Sequence, residues 1–181
     1  KGYKDFWNFK GRYVACKGSR ASKKSKTTAL WIITNLIKYS KANAVYVRKT
    51  ERTLKDSCFS DCKWAINRLG LEDWFKCRVN PLEIEYIPTG QRIMFRGCDD
   101  PLKLTSISVP YGYLCWAVFE EAYEISTEEK FDMIDESIRG EMEAGYFKRV
   151  FILSMGFLSC SIENCSFKTR NFVSISNIAQ R

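Results

Sequence analysis

The segment Gly18-Ser19-Arg20-Ala21-Ser22-Lys23-Lys24-Ser25 sets a glycine, a lysine and a hydroxyl at the spacing of a phosphate-cradling loop. In such a loop, backbone N–H groups at a helix N-terminus face the anion. Lys24 can reach the outer phosphate oxygens, and the Ser25 hydroxyl can ligate Mg²⁺. The usual pattern, G-x-x-x-x-G-K-[ST], has a second glycine where this chain has Lys23. That position often needs a backbone conformation that only glycine adopts cheaply, so Lys23 counts against the motif. A basic surface turn is the competing interpretation.

A second constellation lies far along the chain. The apolar run Leu114 to Phe119 ends in Glu120-Glu121. A hydrophobic strand that delivers two carboxylates at its C-terminal end has the Walker B form. There the first acid holds Mg²⁺ and the second orients an attacking water. The competing interpretation is that the pair merely opens an acidic surface helix. Glutamate rather than aspartate at the first position is a departure from the commonest form.

Composition narrows the chemistry further. The 181 residues include no histidine, which excludes a Ser–His–Asp triad, a histidine zinc site and an imidazole base. Net charge is +8, with 16 basic against 4 acidic residues from Lys1 to Lys63. The stretch from Glu120 to Gly145 reverses this, with 10 acidic and 2 basic residues. A basic block attracts polyphosphates, whether nucleotide or nucleic acid, although it also suits a plain solvated face. The eight cysteines form no C-x-x-C pair and are expected to be reduced, structural thiols of a cytosolic protein. No apolar run is long enough to span a bilayer, and no secretory leader opens the chain, so no membrane partner is expected.

These residues need elements to hold them in place. Tyr13 to Lys17 is predicted to be a buried strand running into the loop, and Lys26 to Tyr39 a helix leading out of it. Ala44 to Arg48 is predicted to be a strand, and Arg52 to Leu69 a helix closed by Gly70. Leu82 to Ile87 and Arg92 to Arg96 form an expected antiparallel hairpin through Pro88-Thr89-Gly90. Leu114 to Phe119 reads as a central strand. Ser126-Thr127-Glu128-Glu129 is a capping box for a helix reaching about Arg139, and Val150 to Leu153 a last strand. The expected fold is α/β, with a mainly parallel central sheet flanked by helices and an inserted antiparallel hairpin. Ligands of such sheets bind beyond the carboxyl ends of the strands, where the loop and Glu120-Glu121 would meet.

Three ordered segments carry a family resemblance. Lys17 through Thr28, Arg96-Gly97 through Asp99-Asp100-Pro101-Leu102-Lys103, and Leu114-Cys115-Trp116 through Glu120-Glu121-Ala122 resemble the large terminase subunit of tailed bacteriophages. The likeness spans roughly residues 2 to 153, and some relatives also carry lysine at the second glycine of the loop. It implies a P-loop NTPase fold of the ASCE type and an ATPase, with ATP and Mg²⁺, that drives double-stranded DNA into a procapsid. It also implies a homo-oligomeric ring docked on the portal, a small terminase subunit as partner, and the cytoplasm of the infected or lysogenic host. By motif, Gly18, Ser19, Arg20, Ala21, Ser22, Lys23, Lys24, Ser25 and Lys26 would form the nucleotide loop. Ser25 and Glu120 would hold the metal. Glu121, Lys24 and Arg20 would be catalytic, Arg20 as an arginine finger in cis. The adenine would sit near the segment before the first strand, where Phe6, Trp7, Phe9 and Tyr13 offer rings, most of them expected to be buried staples.

After Leu153 the resemblance stops. Relatives continue into an Asn-Pro turn and then a nuclease domain with an acidic metal cluster. Here Ser154-Met155-Gly156-Phe157 stands instead, and the final 28 residues hold a single acid, Glu163. Residues 1–153 are therefore expected to be the motor domain, with 154–181 a frameshifted or truncated tail and no nuclease activity. A catalytically weak remnant that still binds nucleotide or DNA is the alternative.

Overall fold

The computed structural model describes residues 3–18, 22–99, 107–124, 128–138, 142–154 and 172–176. After a short helix α1 (Lys4–Asn8), strand β1 (Tyr13–Lys17) leads through the loop to helix α2 (Lys24–Lys38) and strand β2 (Ala42–Arg48). A π-helical turn, Lys55–Phe59, opens helix α3 (Ser60–Arg68). Strands β3 (Phe75–Val79), β4 (Leu82–Tyr86) and β5 (Gln91–Gly97) follow, then β6 (Tyr113–Phe119), α4 (Glu128–Ser137), β7 (Arg149–Ser154) and β8 (Phe172–Ser176).

All the strands belong to one sheet in the order β3-β4-β5-β2-β6-β7-β1-β8. From β5 to β8 every pairing is parallel, and antiparallel pairing is confined to β3 with β4 and β4 with β5. The α/β fold expected from the sequence is the fold observed, and the hairpin proves to be an extension of the sheet, because β5 lies parallel to β2. β3 has no counterpart in the sequence reading. Phe75-Lys76-Cys77-Arg78-Val79 does alternate, but the run is only five residues long and of its apolar side chains only Phe75 is buried, so the pattern is short and weakly hydrophobic. The expected helix from Arg52 is α-helical only from Ser60. Within the expected tail, β8 pairs with β1, Val14 opposite Val173.

Alternation along the parallel strands divides the core into two layers. Val14, Cys16, Trp116, Val118 and Phe151 face α2 and α3, whereas Val47, Phe119, Val150 and Ile152 pack with Phe131 of α4. Trp31 of α2 meets Trp116 and Phe151 edge-on, with centroids 5.3 and 4.9 Å away, which fixes the helix behind the loop. Gly112 admits the chain into β6: its φ is +76°, and a Cβ there would lie 2.0 Å from the Lys41 carbonyl oxygen. α1 is tied to the sheet by buried Arg149, whose guanidinium donates to the carbonyl oxygens of Phe9 (2.5 Å) and Gly11 (3.3 Å).

Six cysteines are free thiols, five of them buried and Cys77 exposed, whereas Cys160 and Cys165 lie outside the described residues. No helix among the described residues is long and apolar enough to cross a membrane.

Candidate nucleotide-binding site

The loop leaves the carboxyl end of β1 at Gly18 and enters α2 at Lys24. A Cβ on Gly18 would come within 3.0 Å of Ser22 Cβ and Oγ, so a larger residue there would have to displace the Ser22 side chain. Lys23, in place of the second glycine, has φ 60° and ψ 20°, the left-handed conformation that a glycine supplies cheaply. The sequence suggested a defect in the loop. The backbone keeps the glycine geometry with a lysine in it.

No side-chain cap closes α2, whose first turn carries N–H groups that a helix does not itself satisfy. Lys24 Nζ donates to Gly18 O at 2.9 Å and lies 3.4 Å from Ser22 Oγ, bending the ammonium back over the loop. The Tyr3 hydroxyl donates to the Ser22 carbonyl oxygen, tying α1 to the same turn. Sequence alone gave no signal for Tyr3.

The two separated motifs meet at one contact. Ser25 Oγ donates to Glu120 Oε1 at 2.7 Å. One strand, β7, lies between the strand that carries the loop and the strand that carries the acids, so helix N-terminus and carboxylates converge at the same sheet edge. Glu120 is buried, and its Oε2 has no hydrogen-bond partner among the described residues. Burial pushes the Glu120 carboxyl up to about 7, against the Ser25 hydrogen bond and with help from the nearby Glu121 charge. A buried carboxylate with a bare oxygen beside a hydroxyl is a poor structural feature but a fitting hard-cation site. Mg²⁺ takes one or two protein oxygens and completes its shell with water and phosphate. Ser25 and Glu120 thus fit the ion that the sequence pattern implies.

Glu121 adopts φ 50°, a second left-handed residue without glycine. Lys26 turns its ammonium over the Trp64 ring, 4.6 Å from the centroid, and feels Asp61 on the same helix as that ring. Asp61 also acts electrostatically on Glu120, a proximity that spacing could not reveal. Of the four rings considered for adenine stacking, Phe6 is buried against Phe151 and Phe9 is beside Arg149. Tyr13 is buried and donates to Asp135 Oδ2, so Trp7 is the ring of the four that is exposed. Ser19, Arg20, Ala21, the cap residues Ser126 and Thr127, and the segment from Asp100 to Lys103 lie outside the described residues.

Residues 10–155 match the family of phage terminase large subunits. The chain belongs to that family. The large terminase subunit of Bacillus phage SPP1 is 36% identical over 135 residues, 74% of this chain but 32% of that protein. The terminase chain thus spans about a third of that relative's length. Among solved structures, the large terminase of a thermophilic bacteriophage superimposes with a TM-score of 0.69 at 12% identity, over 96% of this chain and 45% of its own. In that enzyme's complex with ADP the score is 0.62 at 13% identity, over 91% and 40%. The large terminase ATPase domain of Thermus phage P74-26 gives 0.60 at 17% identity, over 82% and 61%. These likenesses show that the terminase chain has the P-loop fold expected from its motifs.

Proposed function

We propose that this terminase chain is an ATP-hydrolysing motor domain that powers the packaging of double-stranded DNA into a procapsid, with its motor motifs within residues 1–153 and β8 added to the edge of the same sheet. The observation that carries the proposal is the 2.7 Å contact between Ser25 and Glu120, beside an unpartnered Glu120 oxygen and close to Lys24. The thermophilic-phage terminase in complex with ADP supports an adenine nucleotide as ligand. The loop from Gly18 through Lys26 wraps the phosphates, with first-turn N–H groups of α2 and the Lys24 ammonium neutralising their charge. Mg²⁺, held by Ser25 and Glu120, would supply Lewis-acid stabilisation of charge on the phosphate oxygens. Glu121 orients the attacking water and accepts its proton. Arg20, from within the loop, adds a second cation as charge develops on the transferred group.

The function extends to partners by family likeness: double-stranded DNA, a small terminase subunit, the portal of the procapsid and sister copies in a ring, all in the host cytoplasm. A motor must grip DNA without reading it, and the surplus of Lys and Arg suits phosphate contacts of that kind.

Phosphate release from the purified chain, with and without double-stranded DNA, tests the assignment. Wild type is expected to hydrolyse ATP and Glu121→Gln to lose about 10²–10⁴-fold in rate, the range of a general base. Equal release from both would reduce the chain to a nucleotide-binding remnant. Nucleotide binding undiminished by Lys24→Ala would overturn the loop assignment itself.

A further inference from the structure

We propose that Arg48 is a positioning residue for Glu121, acting through an ion pair with Glu124 that holds the turn after β6. The inference rests on the hydrolytic role of Glu121 proposed above. Arg48 is the last residue of β2, at the carboxyl edge of the sheet where the loop and the acids converge. Its backbone is pinned on both sides. Val47 O accepts from Glu120 N at 2.9 Å, and Arg48 O accepts from Cys98 N at 2.8 Å. The side chain is thereby delivered beside the residues that follow β6. Arg48 Nε lies 3.4 Å from Glu124 Oε2, with both side chains mostly covered, at 19% and 26% exposure. Its Nη1 lies 3.5 Å from Ser57 Oγ in the π-helical turn ahead of α3.

Glu124 is the natural lever on Glu121. The turn Ala122–Glu124 closes when Glu124 N donates to Glu121 O at 2.8 Å, and Ala122 is buried under it. Glu121 must hold φ 50°, a conformation that is unfavourable for a non-glycine residue and persists only where its surroundings impose it. The hydrogen bond fixes the turn from within, and the Arg48–Glu124 pair fixes it from the neighbouring strand. The Arg48 guanidinium also lies within electrostatic range of the Glu121 carboxylate. π-Helical turns recur at functional sites, and here one supplies the far side of the Arg48 cradle.

The test compares Arg48→Gln, Arg48→Lys, Glu124→Gln and the double variant Arg48→Gln/Glu124→Gln in the full chain. Steady-state hydrolysis is read together with hydrogen exchange at the Glu121–Glu124 amides. A misplaced base costs rate more than affinity, so kcat should fall about 10–100-fold in either Gln variant while KM stays within about twofold. The double variant should be no worse than the singles, and Arg48→Lys should recover part of the loss. Exchange at the Glu124 amide should quicken in both Gln variants with the unfolding midpoint little changed. The proposal is overturned if Arg48→Gln alters neither kcat nor that exchange. It is equally overturned if Glu124→Gln is silent while Arg48→Gln raises KM, which would assign Arg48 to the nucleotide itself. Absence of turnover in wild type would defeat the hydrolytic reading instead, and the exchange measurement would still decide the ion pair.

Discussion

Two glutamates are almost wholly buried, and they sit in opposite electrostatic worlds. Glu83, on β4, receives Arg78 Nη1 at 2.5 Å and Arg92 Nη1 at 3.3 Å, one on each carboxylate oxygen. Arg78 bridges onward to Glu85 at 2.6 Å, so the hairpin carries a closed ionic cluster. Glu120, just after β6, has one hydroxyl on one oxygen and nothing on the other among the described residues. Burying a carboxylate is costly in both places, but only the hairpin offsets the cost with its own cations. The difference separates the two sites: Glu83 has a cation on each oxygen, whereas Glu120 keeps one oxygen without a partner among the described residues, as the metal role proposed for it requires.

That contrast breaks first under amide substitution. Glu120→Gln keeps the shape and the Ser25 hydrogen bond but removes the charge, and hydrolysis should fall about 10²–10³-fold. Glu83→Gln should leave the rate per folded molecule within about twofold, since its cluster lies at the far edge of the sheet. Steady-state phosphate release at saturating nucleotide checks both. Similar losses from both substitutions would erase the distinction.

Stability should invert the order. Glu83→Ala strands Arg78 and Arg92, which are about a third exposed, and should cost about 1–3 kcal/mol in urea unfolding. Glu120→Gln should do the reverse in metal-free buffer. The folded Glu120 carboxyl titrates near 7, above the ordinary glutamate value of 4.5, so between those values the folded state holds a proton that the unfolded chain has released. Its contribution is therefore fully present below pH 4.5 and is lost as pH rises toward 7. Wild type should lose about 3 kcal/mol across that window relative to Glu120→Gln, and the two curves should run parallel above it. Parallel curves throughout would mean that the buried carboxylate keeps an ordinary affinity for protons.

The ends of this comparison were unequally legible in sequence. β1, β6 and the two motifs could be read because apolar runs in parallel strands are covered on both faces, and phosphate chemistry fixes spacing. The meeting of Ser25 with Glu120 followed from the sheet rule alone. Tyr3, Asp61 and Arg48 were not legible. Each reaches the site through tertiary contact, from beside a short helix, from a second helix and from a strand end, and none lies in a motif. β3 escaped although Phe75-Lys76-Cys77-Arg78-Val79 alternates, because a five-residue edge strand that buries only Phe75 carries too little apolar pattern to stand out.

The smallest expected effect concerns the position that sequence marked as defective. Lys23 carries left-handed backbone at the entry to α2, and relieving that geometry is worth about 1–2 kcal/mol for an ordinary residue. Lys23→Gly removes the strain but gives the unfolded chain more freedom, which takes back about 0.4–1 kcal/mol. The net gain should lie between about 0 and 1.6 kcal/mol, read as a small rise in urea midpoint at unchanged slope. Lys23→Val should move the other way, because a β-branched residue tolerates positive φ least. The pair distinguishes backbone from charge, since both substitutions remove the ammonium and only one suits the conformation. Opposite shifts mean that the loop demands glycine geometry and that lysine holds it under strain. Equal losses would mean instead that the Lys23 side chain stabilises the loop and that its conformation costs little.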